Sequence, residues 1–484
     1  MATLLSMIDQ EHQEFQLQLQ GGGDTAAGNP SGTVPSELLS EIFLHCVDGA
    51  VDPLNTIHVP LLVSQICTRW RKTALATPRL WSRLFLQLGS TSSSSRSRSN
   101  STSSLFSIRS ATSMASSSTR QLSLVREWMV RSGACPLTVY LFWDEEMMFV
   151  SPNPILDALM EHSQRWQYMF FYLPHAAFRY LAHIRKRLPL LRELSLGTSD
   201  EESGLTGKLD AFSTAPQLHS VECINCSPLI FKFPWSQLTT IPMMAVSIDD
   251  CIDVLLQTSR LENAGFIFID GFPSVYGRGR AIRHQHDHIR SFTIMTPPLN
   301  ETVDLRGLFP QLCFPHLETL LICNLRSPFC AEFVSFLSRL RCLRTLHLRK
   351  TALLDYQLVE GLKYLPTLTS LIVYSAPLQA PTVTHSLLGA LTWGEGNERD
   401  RLLPLLTKLE LTVDYNVSED FISMALSRVL VAEGGPARLE QIRIRPTEDL
   451  SDRIYTAIAT IASHGVEVSV EDLAEGPIRM GAAR

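Results

Sequence analysis

The residue pattern predicts an α/β protein, with a small all-α domain near the N-terminus followed by a long βα solenoid on a parallel sheet. Three observations carry this expectation. Between Val34 and Leu84 apolar residues recur at helical spacing, with helix-start residues ahead of them. Beyond about residue 135 a short signature recurs: apolar, two residues, apolar, one residue, apolar. Amphipathic helical patterns lie between its copies, so strand and helix alternate along the chain.

Residues 1–33 contain a Gln-rich piece and Gly21-Gly22-Gly23 and read as a mobile leader. Asp9, Glu11 and Glu14 interrupt its apolar residues, so it does not read as a secretory signal. In the stretch 34–88, Pro35 suits the first turn of a helix and Glu37 favours its positive end. Leu38, Leu39, Ile42, Phe43, Cys46 and Val47 then form two adjacent stripes at i, i+4 spacing. One stripe can pack inside the domain, which leaves the other for a partner. Leu62, Val63, Ile66 and Cys67 repeat the helical spacing, and Trp70 and Leu75 continue it. Thr77-Pro78 opens a last short turn carrying Leu80 and Trp81. Three small helices in about fifty residues are near the lower limit for a self-sufficient core.

Residues 89–120 are Ser-rich, with Arg96, Arg98, Arg109 and Arg120 and no acidic residue among them. Such a segment buries too little apolar surface to offset its ordering entropy and reads as a disordered linker. Arg-x-Ser spacing also suits basic-directed kinases, whose phosphates would make the tether acidic.

The solenoid is expected over residues 121–475, with 476–484 as a tail. A helical segment around Leu124, Val125, Trp128 and Met129 leads through Gly133 into a strand at Pro136–Leu141. The signature then appears as Trp166/Met169/Phe171, Leu191/Leu194/Leu196, Leu218/Val221/Cys223, Leu238/Ile241/Met243 and Leu261/Ala264/Phe266. It resumes as Ile289/Phe292/Ile294, Leu317/Leu320/Ile322, Leu343/Leu346/Leu348, Leu368/Leu371/Val373, Leu406/Leu409/Leu411 and Leu439/Ile442/Ile444. Helical stripes with capping residues follow Ser327-Pro328, Asp355, Ser418 and Ser451.

Several patterns that could carry chemistry are weak. Cys223-Ile224-Asn225-Cys226 has no second pair at zinc spacing, and Cys223 fills an apolar slot, so a buried thiol is expected. His284, His286 and His288 could share one strand face, but beside Arg278, Arg280 and Arg283 they read as a solvated loop. Gly204–Leu209 lacks the first Gly of a phosphate loop and ends in Leu instead of Ser or Thr. The chain therefore reads as a non-enzyme with no metal and no cofactor. A net charge of -6 argues against nucleic acid as partner, and no apolar run is long enough for a membrane span. Ten cysteines without a disulfide framework fit a reducing compartment, cytoplasmic or nuclear.

The opening Pro35-Ser36-Glu37-Leu38-Leu39-Ser40-Glu41-Ile42-Phe43, the centre Val63-x-x-Ile66-Cys67-x-x-Trp70-Arg71 and the ending Pro78-x-Leu80-Trp81 resemble an F-box, closest to its fungal F-box-like form. Val34 stands where that family usually has Leu, and Gly49 to Val59 make a longer link than a minimal F-box has. The later signature, Leu-x-x-Leu-x-Leu at mostly 20–28 residue steps, resembles a degenerate leucine-rich repeat. Asn324 alone stands near the place of that repeat's usual Asn.

Together these resemblances imply a substrate-recognition subunit of an SCF-type cullin–RING ubiquitin ligase. Pro35, Leu38, Leu39, Ile42 and Phe43, with Val63 and Trp70, would dock a Skp-family adaptor and through it cullin. The repeats would hold a target protein, whose identity the sequence does not contain, near the ubiquitin-charged conjugating enzyme. Residues flanking the inward signature positions would form the concave strand face. Among them His347, Arg349, Ile372, Tyr374, Glu410 and Arg443 are expected to bind the target, since Tyr and Arg are typical anchors. The alternative is a leucine-rich-repeat scaffold that binds a partner outside any ligase.

Overall fold

The computed structural model describes residues 34–48, 53–88, 114–143, 149–198, 208–269, 284–297, 303–325, 331–375, 382–393, 402–413, 415–430, 437–447 and 452–470. The leader, residues 89–113 of the Ser-rich segment, Gly204–Gly207, the three arginines before the His run and the tail lie outside the described residues. The chain divides into two compact units, Met1–Trp81 and Ser82–Arg484.

The first unit contains helices α1 (Ser36–Asp48), α2 (Pro53–Ile66) and α3 (Thr68–Leu75) and a 3-10 turn at Pro78–Trp81. The Pro35 carbonyl accepts the first helical bond, from the Leu39 N–H at 3.1 Å. The helical spacing that runs from Leu62 to Trp70 is broken at Cys67, which is extended (φ -153). Its Sγ accepts from the Trp70 N–H at 3.4 Å and caps α3, while the Arg71 Nε donates to the Ser64 carbonyl at 2.7 Å near the end of α2. The core is Leu39, Phe43, Val47, Val63, Ala74, Leu80 and Trp81. Phe43 packs 5.0 Å from Trp70, and the Trp81 Nε1 donates to the Ala74 carbonyl at 2.8 Å, which satisfies the indole in the core.

Among the described residues the second unit is organised by one sheet of fourteen strands, all parallel and in strict chain order. They are β1 (Arg83–Leu88), β2 (Leu137–Trp143), β3 (Trp166–Tyr172), β4 (Glu193–Gly197), β5 (Ser220–Ile224), β6 (Thr240–Val246) and β7 (Asn263–Phe268). A two-stranded side sheet pairs β8 (His284–Gln285) with β10 (Leu312–Cys313). The main sheet continues through β9 (Ser291–Met295), β11 (Thr319–Cys323), β12 (Thr345–Arg349), β13 (Ser370–Tyr374), β14 (Lys408–Val413), β15 (Gln441–Pro446) and β16 (Glu467–Val470).

The helices of this unit are α4 (Met114–Arg131), α5 (Pro154–Met160), α6 (His175–Tyr180), α7 (Ile248–Gln257), α8 (Ala331–Leu337), α9 (Asp355–Leu362), α10 (His385–Leu391), α11 (Ser418–Val429) and α12 (Asp452–Ser463). The arrangement is a βα solenoid-like stack, because parallel neighbours need a crossover between them. Every residue of the eleven signature copies is at most 5% exposed. The periodicity therefore marks the side of the sheet that packs into the core. Left-handed residues follow three of the strands, Asn225 (φ 53), Asn324 (φ 58) and Lys350 (φ 52), and turn the chain out of the sheet.

Two expected boundaries move. Arg83–Leu88 is a sheet strand, with Leu84, Leu86 and Leu88 buried, so the helical domain ends at Trp81 rather than at residue 88. Helix α4 begins at Met114, so it takes in the last residues of the Ser-rich stretch expected to be disordered as far as 120. The buried Val125, Trp128 and Met129 anchor it, and the Trp128 Nε1 donates to the Arg83 carbonyl at 2.8 Å. Two helix starts shift as well: Leu354 and Val417 occupy the cap positions, and Asp355 and Ser418 are the first helical residues.

Candidate functional site

In the first unit the two stripes of α1 separate. Leu39 and Phe43 are 3% and 1% exposed, whereas Leu38 and Ile42 are 55% and 49% exposed and Pro35 is exposed beside them. Leu62 and Ile66, one turn apart on α2, and Leu75 at the end of α3 are exposed as well. Trp70 is half-buried against Phe43. The expectation that Leu39, Phe43 and Val63 are docking contacts is corrected: they fill the unit's own core. Of the residues expected to dock, Pro35, Leu38 and Ile42 are the exposed ones, with the buried stripe beneath them.

On the sheet, residues between the signature positions form one outward face, and the register aligns them in rows. His347, Ile372, Glu410, Arg443 and Ser469 occupy one row across β12 to β16. Glu410 is the centre of this end. Its Oε1 lies 2.9 Å from Lys408 Nζ and 3.6 Å from Arg443 Nη1, and Tyr374 donates its hydroxyl to Oε2. Burial pushes the Glu410 carboxyl up, but the bonds from Tyr374 and Lys408 and the charges of Lys408 and Arg443 outweigh it and hold the carboxyl below its ordinary value. Arg443 Nε donates to Ser469 Oγ at 3.3 Å, and the Arg445 guanidinium lies 4.2 Å from the Tyr374 ring centre.

His347 stands edge-on to the Tyr374 ring at 5.6 Å. Burial, opposed by Glu410 and aided by Arg349, Arg445 and Lys408, lowers the imidazole to about 4, so it is neutral near pH 7. Burial also raises the Tyr374 phenol, and its bond to Glu410 adds to that. The structure thus brings the six residues expected to bind a target onto one face. It also corrects two of them. Tyr374 is only 8% exposed and Glu410 only 3%, so they organise the patch and are not anchors for a target. Arg349, Ile372 and Arg443, with Lys408 and Arg445, remain half-exposed.

The other end of the face carries a feature that the sequence reading missed. Phe85 lies 5.2 Å from Phe142, Phe142 lies 4.9 Å from Phe170 and 6.4 Å from Tyr172, and Tyr140 lies 6.2 Å from Phe170. These five rings form a ladder across β1–β3, and all are half-buried. The alternation rule that located His347 and Arg349 finds them too once β1 is recognised and Tyr168, Phe170 and Tyr172 are read as outward positions.

The weaker motifs resolve plainly. Cys223 and Cys226 are each 1% exposed, and burial raises the Cys223 thiol well above its ordinary value. The solvated-loop reading of the His run fails at His286, which is buried edge-on to Phe314 at 6.1 Å, while His288 is exposed. Among the described residues no group of three His, Cys, Asp or Glu side chains could hold a metal ion. No helix among them is long and apolar enough to cross a membrane. No protein-family model matches the chain, and no curated protein sequence matches it.

Proposed function

We propose that this chain is the substrate-recognition subunit of an SCF-type cullin–RING ubiquitin ligase. The first unit is read as the F-box that docks a Skp-family adaptor, and through it cullin. The second is read as a degenerate leucine-rich repeat whose outward strand face holds a target protein. The observation that carries the reading is the split of α1: a stripe at Leu38 and Ile42, about half exposed, lies beside the buried stripe at Leu39, Phe43 and Val47. A helix that covers only its own neighbours needs one apolar stripe, and the second has no use in the isolated unit. The contribution to ubiquitin transfer is proximity, through raised effective concentration of target lysines, with no bond made by the chain itself.

Combined Leu38→Asp and Ile42→Asp replacement tests it by co-purification of the adaptor. Both side chains are about half exposed, so the unit keeps its fold, with a stability change of about 1 kcal/mol or less. Adaptor capture is expected to fall at least tenfold, since each apolar side chain contributes roughly 1.5–3 kcal/mol when fully buried. Wild-type capture by the double variant refutes the F-box reading. In that case a target held by the strand face without adaptor would identify a scaffold outside any ligase.

A further inference from the structure

The aromatic ladder ends abruptly. On the next strand, β4, the outward positions beside Phe170 and Tyr172 are Ser195 and Gly197, which have almost no side chain. A Cβ at Gly197 would meet Tyr172 Cδ2 at 2.6 Å, so the absence of a side chain is what lets that ring lie across β4. Beyond Ser195, in the same row on β5, stands Glu222. Ser195 Oγ donates to Glu222 Oε2 at 2.7 Å, and no Lys, Arg or His side chain pairs with this carboxylate among the described residues. Burial raises its pKa, and only the Ser195 bond opposes the shift. This contrasts with Glu410 at the other end of the face, which has Lys408 and Arg443 beside it. Glu410 is buried and Glu222 half-buried on the same face, and only Glu410 has its cations.

An aromatic wall and an unpaired carboxylate rise from β3 and β5, strands ~10 Å apart, with Ser195 between them and the Tyr172 ring reaching over Gly197; they suit one kind of ligand. A planar or compact cation can lie against the ring face, where the π-quadrupole is negative, and reach the carboxylate on its other side. A neutral peptide would leave Glu222 desolvated and unpaired, which opposes binding. A lone carboxylate is too few ligands for a divalent metal.

We propose that the outward face of β3–β5 is a docking site for an Arg or Lys side chain presented by an extended segment of the target protein, held between Phe170, Tyr172 and Glu222. The inference rests on reading the strand face as a protein-binding surface and is independent of the adaptor. It gives the face two different ends, an acidic aromatic one at β2–β5 and a basic one at β12–β15, so a bound segment has a direction.

The test is selection of displayed decapeptides on the full chain, followed by titration of the best synthetic peptide by fluorescence anisotropy. Selected sequences should be enriched in Arg or Lys. Replacing the selected Arg by citrulline, or the selected Lys by norleucine, should weaken binding at least tenfold. Glu222→Gln, which keeps the size and the Ser195 bond, should weaken it by a similar factor, and Phe170→Leu several-fold. If Glu222→Gln fails to fold, Phe170→Leu, which removes a ring of the site without touching the carboxylate, decides the test by its several-fold loss. Selection without basic enrichment overturns the proposal. So does binding that Glu222→Gln, or Phe170→Leu in its place, leaves within twofold. Adaptor capture measured on the same preparations separates this failure from failure of the F-box reading, because it reads the exposed α1 stripe of the first unit and not the strand face.

Discussion

Arg428 is the most informative single position in the second unit. It is fully buried on α11 and has no carboxylate partner among the described residues. Instead its guanidinium donates to three carbonyls: Nε to Leu391 at 2.7 Å, Nη1 to Leu403 at 3.0 Å and Nη2 to Leu402 at 2.7 Å. It thereby ties the end of α10 and the turn before β14 to α11, and its face lies 5.6 Å from the Trp393 ring. Replacing it by Met removes three charge-assisted bonds at about 1.5–3 kcal/mol each. Two carbonyls keep other donors, Leu402 from Trp393 Nε1 at 3.2 Å and Leu403 from the Leu406 N–H at 3.3 Å. Against the loss stands relief from burying a charge. Burial lowers the Arg428 pKa from 12.5 to about 10, equivalent to about 3–4 kcal/mol at ~1.4 kcal/mol per unit.

The bonds outweigh that relief, and Arg428→Met should cost roughly 3–4 kcal/mol locally. Arg428→Lys should lose a comparable amount, because a compact ammonium cannot span three carbonyls set for a planar fork. Hydrogen exchange by mass spectrometry is the suitable assay, since a long repeat stack need not unfold in one step. Exchange of peptides covering 402–413 should be at least ~100-fold faster in either variant, at ~1.4 kcal/mol per tenfold. Protection within tenfold of wild type would refute the claim that the guanidinium fork holds this turn.

Two further outcomes follow from buried features of the same unit. Burial raises the Asp250 carboxyl from 3.8 to about 6, with Asp253 and Asp249 adding to it against the Ser247 hydrogen bonds. The folded state therefore binds more protons between those two values, so stability falls as pH rises through that window and the penalty is complete above about 6. Asp250→Asn should stabilise the protein at pH 7.5 by up to about 3 kcal/mol and flatten this slope, read as thermal midpoints from pH 3.5 to 7.5; an unchanged slope contradicts the assignment. At Gly265 an added Cβ would lie 2.3 Å from the Pro242 carbonyl oxygen, which is backbone and cannot rotate away. Gly265→Ala should therefore cost at least ~2 kcal/mol and lower the thermal midpoint, and a midpoint equal to wild type would show that β6 and β7 can separate locally at little cost.

Much of the fold was legible in the chain, because burial on one face of a parallel strand imposes a two-residue period and the crossover imposes a helix between strands. Leu343, Leu346 and Leu348 show both; the other ten copies share the buried spacing, but among the described residues Leu218/Val221/Cys223 and Ile289/Phe292/Ile294 are followed by 3-10 turns instead of an α-helix. The double apolar stripe of α1 was legible for the same reason: six apolar positions in two adjacent i, i+4 stripes cannot all face one neighbour. Which stripe faces inward was not legible. Leu38 and Leu39 are chemically identical, and only the packing of α2 and α3 against α1 buries Leu39 and leaves Leu38 in water. Strand β1 was missed because it follows directly on the last helical turn and its pairing partner begins about fifty residues later. The role of Tyr374 was misjudged because exposure depends on what a neighbouring strand brings: Arg445, more than seventy residues away in sequence, covers its ring. The unpaired state of Glu222 was equally beyond local pattern. Whether a carboxylate has a cation depends on which strands stand beside it, and parallel neighbours come from segments some twenty to thirty residues apart. The chain's own periodicity determined its α/β class and which side of each strand enters the core; the three-dimensional register alone decided which outward residues meet and which of them are left for another molecule.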